Sequence, residues 1–447
     1  MTNTFRPSSY TTFEYVSYSV SSDGTIFTGH YQLSGREPSV SFQEIIELPP
    51  SDRAVDTTAL HRLLFLACGL SYYKAAAPPV IRVDTGLTEA ERRFLTELIR
   101  HGLGEFAYRN QLPGALRPTI EAEDIVLATA DSDWDLSRPP LVPVGGGKDS
   151  VVSLESLKAA GHVPVAFSVN QFDPIDACVR VSGLSQVRAT RKVDRTLIEL
   201  NKAGAYNGHV PVTAINSLVA LISADRLGLG AVVMSNEGSA DYGNLRWEDI
   251  EVNHQWSKSM EFELLLRGTL SAAGLAEDRY FSLLRPLSEI SIAKRFAGLP
   301  QYFPVFTSCN RLFALDPDAR RKSWCGTCPK CQFVFLILAP FIPADVLKSI
   351  FGSNLLDNLE NLPAYEEILG LKGHKPFECV GDYDEAGAAF RIAAEQADWR
   401  ETVIVKGLLD EVRTTPSAHE AEVSRLMGVS RVHAIPALFQ EALDAIG

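Results

Sequence analysis

Apolar and polar positions divide the chain into two textures. Over residues 12–33 they alternate on either side of Ser22-Asp23-Gly24, which predicts a β-hairpin. Residues 40–48 predict another strand, and the apolar-rich stretch 57–73 predicts a helix. Thr88 and Glu91 make a capping-box pair in front of a second helix that runs to about His101. Together these predict an N-terminal α+β domain over 1–135, closed by the polar stretch 131–140 with its Pro139-Pro140 pair. Beyond it, strands alternate with helices. The pattern predicts strands at 141–144, 162–169, 209–212 and 231–234, with helices at 148–160, 186–201 and from 212 to about Asp225. Such alternation predicts βαβ units in a doubly wound parallel sheet, an α/β fold that takes ligands at the carboxyl ends of its strands. From Asn354 onwards the pattern is mostly helical, a C-terminal extension of a second domain covering 136–447.

Composition narrows this picture. Of 447 residues, 46% are apolar and 22% charged, which suits a folded chain of more than one core. Lys and Arg number 42 against 55 Asp and Glu, a net charge of −13. That balance argues against a nucleic-acid partner, which requires a basic footprint. The longest apolar run, 333–343, falls short of the roughly 20 residues a membrane span needs. Residues 1–18 have neither the basic nor the apolar region of a leader, so the chain reads as cytoplasmic with no membrane partner.

The sharpest local feature is Val144-Gly145-Gly146-Gly147-Lys148-Asp149-Ser150, where a strand gives way to glycines and then to a helix. Glycines let main-chain N–H groups approach an anion, and a helix N-terminus adds unpaired donors and a positive dipole end. A phosphate chain suits that chemistry. The segment is not a Walker A loop, since Asp149 follows Lys148 where Ser or Thr belongs. It resembles the PP-loop of the ATP pyrophosphatases, Ser-Gly-Gly-x-Asp-Ser, with Gly146, Gly147, Asp149 and Ser150 matching and Gly145 in place of the first Ser. The resemblance implies an adenine nucleotide alpha hydrolase-like fold and cleavage of ATP between its α- and β-phosphates. It also implies an ATP site made of Gly145, Gly146, Gly147, Lys148, Asp149 and Ser150, with Mg²⁺ held by the phosphates near Asp149. Ser168 stands where that family binds adenine. Arg285-Pro286-Leu287 with Lys294 resembles the family's late nucleotide-binding segment, which makes Lys294 a candidate phosphate contact.

Seven cysteines are present, and Cys325, Cys328 and Cys331 recur at two-residue gaps. With Cys309 they can surround Zn²⁺ in a closed structural site. An iron–sulfur cluster and free thiols are the alternatives. Some PP-loop enzymes, such as the deazapurine nitrile synthases, carry a similar element.

Across nearly its whole length the chain resembles the MurL family, the ATP-dependent UDP-N-acetylmuramoyl-L-alanyl-L-glutamate epimerases of bacterial peptidoglycan synthesis. The residues that carry this are the glycine loop, the run from Ser235 to Asn244, and Ser308-Cys309-Asn310-Arg311 with the cysteine knuckle. The resemblance implies a small-molecule partner, UDP-MurNAc-L-Ala-L-Glu, whose carboxylate is adenylated so that the neighbouring Cα proton becomes removable. Asp149, Glu237, Asp241 and Cys379 are the candidate catalytic residues. His209 and His254 are further candidates, and Arg246 and Lys258 are candidate anion contacts. Two other readings stay open on the sequence: a PP-loop enzyme adenylating a nucleobase or tRNA, and a nucleotide-sensing protein with a degenerate loop.

Overall fold

The computed structural model of the chain describes residues 5–129, 134–312, 323–412 and 415–446. The start of the predicted boundary stretch, residues 131–133, lies outside the described residues. Twelve strands are named here in chain order: β1 (Tyr10–Val20), β2 (Ile26–Gly35), β3 (Val40–Glu47), β4 (Val80–Leu87), β5 (Thr119–Asp124), β6 (Leu141–Pro143), β7 (Val165–Val169), β8 (Gln186–Lys192), β9 (Val232–Met234), β10 (Leu245–Trp247), β11 (Ile250–Val252) and β12 (Tyr280–Ser282). Ten of them form one sheet in the order β12-β9-β6-β7-β8-β3-β2-β1-β4-β5, while β10 and β11 pair separately. Six of the nine pairings in the large sheet are parallel. The molecule is thus an α/β protein with a large, mostly parallel sheet.

Strands β1 and β2 form the hairpin that the alternation predicts, with Gly24 in the left-handed region (φ +69°) at its turn. The capping box is present: Glu91 N–H donates to Thr88 Oγ1 at 3.2 Å, and Thr88 N–H to Glu91 Oε2 at 2.8 Å. The N-terminal strands and the later βα units are joined where β3 meets β8 antiparallel, Ile45 opposite Lys192. Both faces of the parallel part are covered. Leu141, Phe167, Val232 and Tyr280 belong to one apolar core, and their neighbours Val142, Ala166, Val233 and Phe281 to the other. Strands buried on both faces read as unbroken apolar runs, as β6 and β9 do.

Two predicted elements are corrected. Residues 186–192 form strand β8, and the helix begins only at Arg195, where the Asp194 side chain accepts from Thr196 N–H at 2.8 Å. Val187 and Ala189 alternate with charged residues, and pairing with β7 and β3 outweighs the helix preference of Arg and Lys. Residues 209–211 are not a strand. They lead into the helix Val212–Leu227, and Pro211, which has no N–H for a ladder, stands at its start. A short apolar run cannot by itself separate strand from helix. Among the described residues, no helix is long and apolar enough to cross a membrane.

Strand order reverses at β6, which has β7 on one side and β9 on the other. A crevice opens at such a reversal, beyond the carboxyl ends of the strands. The glycine loop follows β6 directly.

Candidate active site

The loop is shaped by close approaches. Gly146 lies in the left-handed region (φ +78°), and a Cβ there would come 3.3 Å from the Ile175 nitrogen. A Cβ on Gly147 would meet Ser308 Cβ at 3.2 Å, whereas one on Gly145 would meet open space. Thr307 N–H donates to the Gly146 carbonyl at 2.8 Å, so the segment before Cys309 is stitched to the loop. Gly147 begins the helix Lys148–Ala159 without a side-chain cap. The first-turn N–H groups are therefore left for an anion.

Lys148 is buried (1% exposed), and its ammonium lies between the carboxylates of Asp149 and Glu289. Burial alone would lower its pKa, but the two carboxylates raise it. Burial pushes Asp149 up, and Lys148, with Lys330 and Lys258 beyond it, brings the carboxyl below its ordinary value. Glu289 is pushed up to about 7 by burial, against the pull of Lys148 and with the push of Asp149. Its N–H donates to Glu385 Oε1 at 2.7 Å, and burial holds Glu385 well above the usual carboxylate range. Ser150 Oγ turns back to the Gly147 carbonyl at 3.2 Å. Ser168 is buried near the end of β7 and accepts from Gln186 Nε2 at 3.2 Å. Lys294 is exposed in the last turn of the helix Glu289–Ala297.

After β9 the chain passes Glu237, which is buried and whose carbonyl accepts from Arg285 Nη1 at 2.7 Å. The Glu237 carboxylate acts on Lys258, Lys375 and Glu289. Asp241 is exposed and accepts from Met260 N–H at 2.6 Å, with Arg285 Nη1 3.7 Å away. That oxygen is spent on the start of the helix Met260–Ala272. Arg246 is exposed on β10.

Cys379 is half-buried on a coil held from several sides. Asn244 Nδ2 donates to the Pro376 carbonyl at 2.7 Å, Gln255 Nε2 to the Val380 carbonyl at 3.0 Å, and Lys330 Nζ to the Cys379 carbonyl. Burial pushes the Cys379 thiol up, but Lys258, His254 and Lys330 outweigh it and bring the thiol down to about 5. Lys258 and His254 are the strongest positive influences on the sulfur. Lys330 links this end to the loop, because it acts on Asp149 and Glu289 as well as on Cys379. Lys258 likewise bears on both the Asp149 carboxylate and the Cys379 thiol.

Cys309, Cys325, Cys328 and Cys331 converge, with all four sulfurs within 4.8 Å of one another. Cys325 and Cys331 are 3.6 Å apart, and Cys328 and Cys331 3.4 Å. Thiolates around a tetrahedral zinc stand about 3.8 Å apart, given a Zn–S bond of about 2.3 Å. The donor set fits one ion. Gly326 (φ +69°) supplies the left-handed turn of the knuckle. Lys330 lies between two of these cysteines and Thr307 two residues before a third, so the knuckle braces both ends of the site.

Sequence reasoning missed Glu105, Glu289, Glu385, Lys330 and Lys375. Glu289 lay inside a noted segment and Lys330 inside the knuckle; the others carried no motif.

The MurL N-terminal domain family model matches residues 4–283, and the MurL C-terminal domain model matches 305–423. A protein of Micromonospora sp. named UDP-N-acetyl-alpha-D-muramoyl-L-alanyl-L-glutamate epimerase is 47% identical over 422 residues, 92% of this chain and 93% of its own. Proteins of the same name from Salinispora tropica and Xanthomonas oryzae pv. oryzae are 45% and 42% identical, over 90% and 86% of this chain and 89% and 85% of their own. No solved structure matches significantly.

Proposed function

The chain belongs to the MurL family, and from that premise we propose that it is an ATP-dependent epimerase of peptidoglycan precursor synthesis that converts UDP-MurNAc-L-Ala-L-Glu to its D-Glu form. The observation that carries the ATP-dependent reading is the glycine loop at the reversal of strand order, with Lys258 and Lys330 acting on both Asp149 and Cys379.

The chemistry requires activation before inversion. A Cα proton beside an ionised carboxylate is very weakly acidic, because its removal places a second negative charge next to the first. In our reading the terminal α-carboxylate attacks the α-phosphorus of ATP, the Pα–O bond to the β-phosphate breaks, and diphosphate leaves. The resulting acyl adenylate is uncharged at the carbonyl. When the Cα–H bond breaks, its electron pair moves onto that carbonyl oxygen as an enolate, which nearby donors stabilise. The Cys379 thiolate takes the proton. Reprotonation on the opposite face inverts the centre, and water then releases AMP and the free acid.

The loop N–H groups of Gly146, Gly147 and the first helical turn cradle the phosphates in this reading, and Mg²⁺ on the phosphates near Asp149 offsets their charge. The buried Lys148 orders Asp149 and Glu289 rather than reaching the nucleotide. Lys258, Lys330 and Lys375 supply the positive surroundings that a substrate with a diphosphate and two carboxylates requires. Cys309, Cys325, Cys328 and Cys331 hold a structural zinc, and metal analysis of purified protein should find one zinc per chain.

The test is direct. Purified protein with UDP-MurNAc-L-Ala-L-Glu, ATP and Mg²⁺ should give AMP, diphosphate and, after acid hydrolysis, D-Glu. Diphosphate without stereochemical change would overturn the epimerase reading, and D-Glu without AMP would overturn adenylation.

A further inference from the structure

The reading above leaves a half-buried group of side chains around Cys379 without a role. Glu105, His209 and His254 come from three separated segments, yet their ligand atoms lie within 4.8 Å of one another. Glu105 Oε2 is 2.5 Å from His254 Nδ1 and 4.0 Å from His209 Nδ1. The two imidazole rings are 4.4 Å apart between centroids. The His254 ring also acts on the Cys379 thiol, and the two segments are stitched together where Gln255 Nε2 donates to the Val380 carbonyl at 3.0 Å. The result is a line of interacting groups running Glu105–His254–Cys379, with Lys258 acting on the thiol as well.

We propose that Glu105 is a positioning residue that aims His254 at Cys379, and that the Cys379–His254 pair works one face of the glutamyl Cα. The proposal rests on the epimerase reading. The sulfur takes the proton as the Cα–H bond breaks, and that bond's electron pair moves to the acyl oxygen. The imidazolium stays charged beside the sulfur, and Cα receives a solvent-derived proton on its other face.

The geometry is fixed by rigid parts. Glu105 sits in the first turn of the helix Gly104–Asn110, which packs on β11, where a Cβ on Gly104 would be 3.6 Å from Val252. Arg109 Nε donates to Glu105 Oε1 at 2.6 Å, so each carboxylate oxygen has a partner. His254 follows β11 by two residues, and its N–H donates to Asn244 Oδ1 at 2.8 Å. The N-terminal part of the chain thereby contributes a side chain to the thiol end.

Electrostatics favour this arrangement over a metal ion on the same groups. Lys74, Lys258 and Lys330 stand around it, and a divalent cation would add positive charge to a site that already has it. Burial takes His209 down to about 3, so it stays neutral beside the charged ring. Burial also works against charge on His254, but Cys379 and Glu105 overcome it and raise the ring to about 9. The groups around the pair are Lys258, Lys330, His209, Glu105 and Glu378, with Lys74 acting on His209.

The test reads the sulfur itself. Iodoacetamide alkylation of Cys379 is followed against pH by mass spectrometry of its peptide in the full-length protein. The wild-type midpoint should lie near 5. Glu105→Gln should move it up by about one pH unit or more, and Glu105→Asp should return it part of the way. The same Glu105→Gln protein should lose about 10²-fold in kcat for D-Glu formation. An unmoved midpoint, or a moved midpoint with unchanged kcat, would overturn the proposal. Where Glu105→Gln fails to fold by circular dichroism, His254→Asn carries the same two readouts. Wild-type protein that forms no diphosphate would sink the parent reading instead, and the alkylation midpoint would still decide whether the triad of contacts exists.

Discussion

The two ends of the site are built in opposite ways. The loop end is local: consecutive residues 144–150 supply the turn, the backbone donors and the helix start, and its one buried cation, Lys148, is matched by Asp149 and Glu289. The thiol end is convergent. Glu105, His209, His254, Lys258, Lys330 and Cys379 reach it from five separated segments, and Lys258 and Lys330 act on the thiol as well as on carboxylates. Binding a phosphate chain asks mainly for backbone N–H groups, which one short segment can present. Moving a proton from carbon asks for a group whose pKa is tuned by its surroundings, and those must come from elsewhere in the fold.

That contrast can be broken at either end. Cys379→Ala should have the largest effect, reducing D-Glu formation by about 10³-fold, within the usual range for removing an acid–base group. A chiral assay of hydrolysed product measures it, and a residual rate within tenfold of wild type would remove Cys379 from the chemistry. Asp149→Asn comes next. It should cut AMP formation by about 10²-fold, because the carboxylate proposed to work with Mg²⁺ on the phosphates is gone. Coupled detection of diphosphate measures that loss.

The pH profile of D-Glu formation should be bell-shaped, with limbs of about tenfold per pH unit. The signs follow from the two shifts. Cys379 is lowered to about 5, so the thiolate is present above that pH and is lost as pH falls through it. His254 is raised to about 9, so its charge is present below that pH and is lost as pH rises through it. Both hold together between about 5 and about 9, and an acid-side limb centred near the ordinary thiol value instead of near 5 would contradict the pairing. The smallest effect belongs to Lys294→Ala. This exposed side chain at a helix end should leave stability to urea within about 0.5 kcal/mol of wild type.

The same contrast explains what the sequence made legible. The hairpin, the capping box and the strand–loop–helix at 141–159 depend on neighbours in the chain, and each stands where the pattern places it. The cysteine knuckle was visible through its spacing, and its sulfurs do converge with Cys309. Strand β8 was misread because its partners, β3 and β7, are set by the sheet and not by residues 186–192 themselves. Glu105 was invisible for the same reason. Nothing beside it in the chain signals that a histidine at 254 will meet its carboxylate. Asp241 shows the converse, a candidate whose carboxylate oxygen is taken up by the Met260 N–H.

The central claim is that activation at the loop and proton transfer at the thiol are one sequence of events in one pocket. Incubating the protein with UDP-MurNAc-L-Ala-L-Glu in D₂O, with and without ATP, and reading deuterium at the glutamyl Cα by mass spectrometry tests it most directly. The account predicts deuterium in the D-Glu product only when ATP is present, with diphosphate formed alongside it. Exchange at Cα in the absence of ATP, or inversion without deuterium uptake, would contradict it.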